Sequence, residues 1–175
     1  MDTAAIIREI LTGYALHPRG FHGVVHWARV MENGQKLAET TGADPTVVTL
    51  FALFHDARRV NDGSDWGHGL RGAKLARQLR GKVFELPDAE FELLYRACER
   101  HTEGRTDPDV TVRTCWDSDR LDLGRVGITP DPKYLCTAAA QSREMIAWAD
   151  RRSRTDYEPP FVIEQWGIPL DVEKE

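Results

Sequence analysis

The chain has 175 residues, with 23 Lys and Arg against 28 Asp and Glu for a net charge of −5, 41% hydrophobic residues, three cysteines and six histidines. The length suits one domain that buries its own core, and the acidic balance excludes nucleic acid or an anionic membrane surface as a bulk partner, because either needs clustered Lys and Arg. Cys98, Cys115 and Cys136 lack the CxxC or CxxH spacing of a zinc finger or a disulfide framework, and with no apolar run long enough to span a membrane the chain reads as soluble and cytoplasmic.

Nearly every segment repeats at helical period and none alternates over a strand length, so the expectation is an all-α fold of six to seven helices in a single domain. The first helix is expected from Thr3 to Leu16, halted at His17-Pro18-Arg19-Gly20, and the second from about His22 to Thr41. Asp44-Pro45 is a cap followed by proline at the first helical position, which starts a third helix through Val47, Phe51 and Phe54 to His55-Asp56. Arg58 to Gly67 reads as a loop, His68 to Leu79 as a fourth helix, and Asp88 caps a fifth that ends near His101. Asp107-Pro108 repeats the cap signature for a sixth helix to about Leu123, and a seventh covers Ala138 to Arg152. The domain is thus expected over 1–154, with an irregular apolar tail over 155–175 that packs on it or makes a dimer contact; monomer and homodimer both stay open.

Helical phase then separates inward from outward polar residues, because each residue advances about 100° and positions seven apart nearly eclipse. Gly72, Leu75, Ala76 and Leu79 stand 4, 7, 8 and 11 residues beyond His68, so His68 shares the buried face of its helix. Leu94 and Cys98 lie seven and three before His101, and His55 follows Val48 by seven and Phe51 by four, so both also point inward. Asp119 lies seven after Val112 and four after Cys115, whereas Asp117 is turned about 140° from that face. A lone buried carboxylate costs several kcal/mol unless paired or metal-bound, so Asp119 needs partners. Imidazole and carboxylate donors together suit a divalent cation of the Mn, Fe, Co, Ni or Zn kind and argue against an all-oxygen calcium site.

The ordered set His26, His55-Asp56, His68, His101, Asp119 resembles the HD-domain superfamily of metal-dependent phosphohydrolases, whose pattern is H…HD…H…H…D on an all-α fold, over roughly residues 20 to 125. His26-Trp-Ala-Arg29-Val30 looks like the family's H-x-x-R-V helix, Leu53-Phe54-His55-Asp56 like the apolar run delivering the HD pair, and Asp117-Ser-Asp119-Arg120-Leu121-Asp122 like its D-A-D-R-L-D element. The resemblance implies His26, His55, Asp56 and Asp119 as ligands of one metal, and His68 and His101, with Asp56 bridging, as ligands of a second; His68 and His101 bind substrate phosphate in the alternative of a single metal. It also implies hydrolysis of a small anionic phosphorylated substrate, a phosphomonoester or nucleotide, with one or two ions among Mn, Fe, Co, Ni, Zn and Mg. Such an ion lowers the pKa of bound water from about 15.7 to about 7. Asp56, His68, His101 and Arg59 are the implied catalytic groups; Arg58 or Arg59, and Arg71 or Lys74, are candidates for holding phosphoryl oxygens.

The chain departs from family members that carry a glutamate three or four residues beyond the pair, since Arg58, Arg59 and Val60 follow here. Glu103, Asp62 and Asp65 are weighed as water-orienting carboxylates, Asp117 as a group orienting a ligand histidine, and Arg29 and Arg120 as ion-pair partners. His22 either packs at a helix start or joins the site from the face of His26. The same ligand letters resemble HD-type di-iron oxygenases, and a non-catalytic metal- or nucleotide-binding module is the reading from another class.

Overall fold

The computed structural model describes residues 1–169 and is all-α, with no strand among them beyond an isolated bridge between Arg80 and Phe84. In chain order the helices are α1 (Thr3–Leu11), α2 (Val24–Thr41), α3 (Pro45–Phe54), α4 (His68–Leu79), α5 (Asp88–Arg100), α6 (Val110–Arg120), α7 (Arg143–Arg154) and α8 (Phe161–Glu164). Short 3-10 turns at Leu123–Val126 and Pro132–Tyr134 lead from α6 towards α7. No helix among the described residues is long and apolar enough to cross a membrane.

α3 is the central element. Its residues from Val47 onward are buried, as is the continuation through Ala57, which is the pattern of a helix apolar on all sides. Asp44 caps it as expected, its carboxylate accepting from the backbone N–H groups of Thr46 and Val47. α2 and α5 pack against α3, α6 packs against α2, and α4 lies along α5, so α3 delivers His55 and Asp56 into a space walled by four other helices. Trp27, Phe51, Phe54 and Trp116 are fully buried around it, each side chain contributing roughly 1.5–3 kcal/mol by leaving water.

Two glycines set how closely α4 approaches. A Cβ on Gly72 would lie 2.1 Å from the Phe54 carbonyl oxygen, and one on Gly69 would lie 2.2 Å from that of Cys98. α4 therefore rests on the C-terminal turns of α3 and α5, and His68 at its first residue is brought against His101.

Several helix ends differ from the sequence expectation. α1 stops at Leu11 rather than Leu16, where the Thr12 hydroxyl turns back to donate to the Arg8 carbonyl. α2 begins after Gly23, so His22 precedes the helix instead of sharing its face with His26. α6 is capped by Asp109, whose carboxylate accepts from Thr111 N–H; Asp107 instead accepts from Asp109 N–H and pairs with Arg96. α7 starts at Arg143 under a Ser142 cap rather than at Ala138. The tail expected to be irregular contains α8, whose Val162 is buried with Trp166 in the main core, and the Trp166 indole donates to the Thr3 hydroxyl. Residues 170–175 of that tail, with Leu170 of its apolar run, lie outside the described residues.

Candidate metal centre

Five elements place the predicted donors together: His26 on α2, His55 and Asp56 at the end of α3, His68 opening α4, His101 closing α5, and Asp119 in the last turn of α6. His26, His55, Asp56, His68 and His101 are all buried. Their ligand atoms form two triads that share Asp56, namely His26, His55 and Asp56, and Asp56, His68 and His101, with all atoms of each triad within 4.8 Å of one another. Asp119 stands beside the first, its Oδ1 3.4 Å from His26 Nε2 and 3.7 Å from His55 Nε2.

The hydrogen bonds on the far side of each ring decide which nitrogen faces the centre. His55 Nδ1 lies 3.1 Å from the Ala52 carbonyl oxygen, His68 Nδ1 2.6 Å from that of Asp65, and His101 Nδ1 2.7 Å from that of Cys98. A carbonyl only accepts, so each Nδ1 carries the hydrogen and a neutral ring presents its Nε2 lone pair inward. His26 Nδ1 donates in the same way to Asp122 Oδ2 at 2.8 Å. The lone pairs then meet without a hydrogen between them, His26 Nε2 to His55 Nε2 at 3.1 Å and His68 Nε2 to His101 Nε2 at 2.8 Å. Facing lone pairs at that distance repel unless a proton or a metal cation lies between them, and mixed imidazole and carboxylate donors fit a divalent ion. Each ring is also held by the outer partner that metal-binding histidines characteristically have.

Burial pushes the His26 ring well below the usual imidazole range and the His101 ring down to about 4, so both remain neutral donors near neutral pH. Burial acts in the opposite sense on Asp119, but the neighbouring His55 and His26 rings and Arg125 outweigh it and bring this carboxyl to about 2. Asp56 is likewise held well below the carboxylate range, despite burial, by His55, by the hydrogen bond from His22 and by the adjacent His68 and His101 rings.

The three aspartates of the α6 element take three different roles. Asp119 faces the donors, as phase predicts. Asp117 does not orient a histidine: it is fully buried and accepts from the backbone N–H groups of Cys136 and Thr137 and from the Thr137 hydroxyl. The orienting group is Asp122, which the sequence reading left without a role. It takes His26 Nδ1–H on Oδ2 and the Arg29 guanidinium on both oxygens, at 2.7 and 3.1 Å. A signal for it existed, because Asp122 lies seven residues after the buried Cys115. Arg29 is thus an ion-pair partner as expected, whereas Arg120 donates to the carbonyls of Gly104, His101 and Tyr134.

A cavity of about 730 Å³ opens over the centre, lined by Asp56, His101 and Asp119 at its floor and by Arg59, Arg105 and Arg125 on its walls. Trp66, 81% exposed, stands at its rim. The arginine pair after the HD motif divides: Arg59 turns into the site, while Arg58 donates to the Ile10 carbonyl on the opposite side. Arg71 holds Asp65 and the carbonyls of Arg58 and Trp66, and neither it nor Lys74 lines the cavity. Of the weighed carboxylates, Glu103 and Asp65 line the cavity and Asp62 does not; Asp65 is engaged by Val60 N–H and Arg71. His22 lines it as well, with Nδ1 2.7 Å from Asp56 Oδ2.

A family model described as HD domain matches residues 23–124, more than half of the chain. No curated protein and no solved structure matches it.

Proposed function

Because the chain belongs to the HD-domain family, we propose that its His and Asp centre serves a metal-dependent phosphohydrolase acting on a small phosphomonoester or nucleotide. The observation that carries the reading is the convergence of four imidazole Nε2 atoms and two carboxylates beneath a cavity walled by arginines. Its volume falls within the roughly 300–1,000 Å³ of small-molecule sites. His26, His55, Asp56 and Asp119 would hold a divalent cation, which when bound supplies Lewis acidity and a water of lowered pKa.

The remaining chemistry belongs to the chain's own groups. Arg59 and Arg125 offer guanidinium N–H groups to phosphoryl oxygens, where charge-assisted hydrogen bonds are roughly twice as strong as neutral ones. His68 and His101 turn their Nε2 atoms to the same space and can hold or pass a proton at the leaving oxygen. Glu103 and His22, both on the cavity wall, are the groups placed to orient water, a task for which the HD motif supplies no glutamate here. The exposed indole of Trp66 beside the opening favours a substrate with a flat ring, such as a nucleotide. Three free cysteines favour a reducing, cytoplasmic setting.

The test is a panel of phosphomonoesters, nucleotides and phosphodiesters, run on metal-stripped chain reconstituted separately with Mn, Co, Ni, Mg, Fe and Zn, with His55→Ala as control. Phosphate release that requires a metal and is lost in His55→Ala supports the reading. Metal binding with no turnover on any substrate would replace it with a binding module, and oxygen uptake by the iron form alone would replace it with the oxygenase.

A further inference from the structure

The two triads that share Asp56 differ in what approaches their open lone pairs. Among the described residues, no arginine or lysine donor lies within hydrogen-bond distance of His26 Nε2 or His55 Nε2, which face each other and the carboxylates of Asp56 and Asp119. The second triad already has a cation against it. Arg59 Nη1 lies 3.1 Å from His68 Nε2 and 3.4 Å from Asp56 Oδ1, two of the three atoms a metal there would need. A guanidinium is permanently charged and donates only, and a neutral imidazole has one lone pair to accept with. Since His68 Nδ1–H is directed to the Asp65 carbonyl, the Arg59 N–H addresses the lone pair that would bind metal.

Nor is Arg59 free to leave. Its Nη2 donates to the Gly63 carbonyl at 2.8 Å, its Nε points to that of Asn61 at 3.4 Å, and the residue is buried. The loop carrying those carbonyls is itself fastened, because Asp65 accepts from Val60 N–H at 2.8 Å and from Arg71.

We infer that Arg59 stands in for a second metal ion: the centre takes one divalent cation, in the half formed by His26, His55, Asp56 and Asp119, and in the half formed by His68 and His101 it is the Arg59 guanidinium that receives an anionic oxygen of the substrate. The inference rests on the metal-centre reading above and adds the number of ions and the use of the second triad. It separates this chain from a two-ion centre with the same ligand letters, since here the Arg59 guanidinium already occupies the second triad.

The experiment counts metal rather than turnover. The metal-stripped full chain is dialysed against Mn²⁺, and bound manganese is measured by elemental analysis and by electron paramagnetic resonance. One ion per chain with an uncoupled spectrum is expected, rising to two exchange-coupled ions in Arg59→Gln and falling back to one in Arg59→Gln/His68→Ala. Inorganic phosphate, titrated into the Mn²⁺ form, is expected to bind at least tenfold more weakly to Arg59→Gln. Two coupled ions in the unsubstituted chain would overturn the inference while leaving the metal centre standing, and this outcome needs no variant to fold. An Arg59→Gln chain of normal helical content that holds one ion, or binds phosphate as before, would overturn it as well. No bound manganese in the unsubstituted chain removes the metal centre itself and the inference with it.

Discussion

Asp122→Asn is the substitution that tests most directly whether the region beneath His26 is organised as described. The carboxylate is 1% exposed, and both oxygens are acceptors: Oδ1 takes Arg29 Nε–H, and Oδ2 takes Arg29 Nη2–H and His26 Nδ1–H. An amide of the same shape has one accepting oxygen. Wherever its NH₂ is placed, it opposes a donor, and the less costly placement keeps the oxygen towards His26 and sets the NH₂ against Arg29 Nε. One charge-assisted hydrogen bond worth about 1.5–3 kcal/mol is lost, and the Arg29 guanidinium stays buried beside a neutral group. The total is about 3–5 kcal/mol, the range for removing one partner of a buried ion pair. For a chain of this size that lowers the melting temperature by roughly 6–20 °C.

Because the His26 ring is held by the same carboxylate, metal affinity should fall by about tenfold, the lower end for an outer partner of a ligating histidine. That is about 1.4 kcal/mol of metal-linked stabilisation at a fixed metal concentration. Urea unfolding of the metal-free and Mn²⁺-loaded chains separates the two effects, since the first appears without metal and the second only with it. A metal-free stability within about 0.5 kcal/mol of the unsubstituted chain, together with unchanged Mn²⁺ affinity, would refute both the buried pair and its hold on His26.

Other outcomes follow from the same geometry. Asp119→Ala should leave only weak residual metal binding at modest cost in metal-free stability, whereas Asp117→Ala should cost about 3 kcal/mol by releasing Cys136 and Thr137 yet leave metal affinity within a few fold; dialysis and urea unfolding of both variants check the reversal. The His101 ring, at about 4 when folded, is neutral where an unfolded imidazole near 6.5 takes up a proton, so metal-free stability should fall as pH drops from about 6.5 towards 4. At pH 5 that loss is about 2 kcal/mol, and His101→Gln should remove roughly one proton's worth of the slope in unfolding measured across that range. Gly72→Ala should destabilise by about 1–3 kcal/mol, because its methyl meets the Phe54 carbonyl, and should weaken metal binding by shifting His68. Thermal melts with and without Mn²⁺ report both.

The parts of this molecule legible in its sequence are those governed by periodicity. The apolar run of α3 and the inward phase of His68 and His101 follow from residue spacing, and Asp119 faces the donors as its phase implies, but Asp117, which phase turns away, is the more deeply buried of the two because the Cys136–Thr137 segment covers it. What spacing did not carry depends on contacts between distant segments. The Asp122 partners lie 93 and 96 residues away in sequence, and Arg58 and Arg59, adjacent and chemically identical, part to opposite sides of a helix end. Helix ends also resisted: Asp107-Pro108 and Asp109 offer competing caps, and Asp107 is drawn off by Arg96, a residue of another helix.

The direction in which the helices enter the centre carries a further consequence. His55 and His101 are the residues that close α3 and α5, and Asp119 lies in the last turn of α6, so three helices end at the centre, while α2, with His26 in its first turn, and α4 begin there. Each C-terminus carries a partial negative charge of about half an elementary charge, worth up to roughly 2 kcal/mol to a buried cation. The two N-termini carry the opposite partial charge, so the surplus of one C-terminus leaves a small backbone attraction for positive charge at this point before any side chain is counted. Replacing ligands one at a time removes donor atoms but leaves that field in place, so weak residual metal binding in single-ligand variants is the behaviour this architecture dictates.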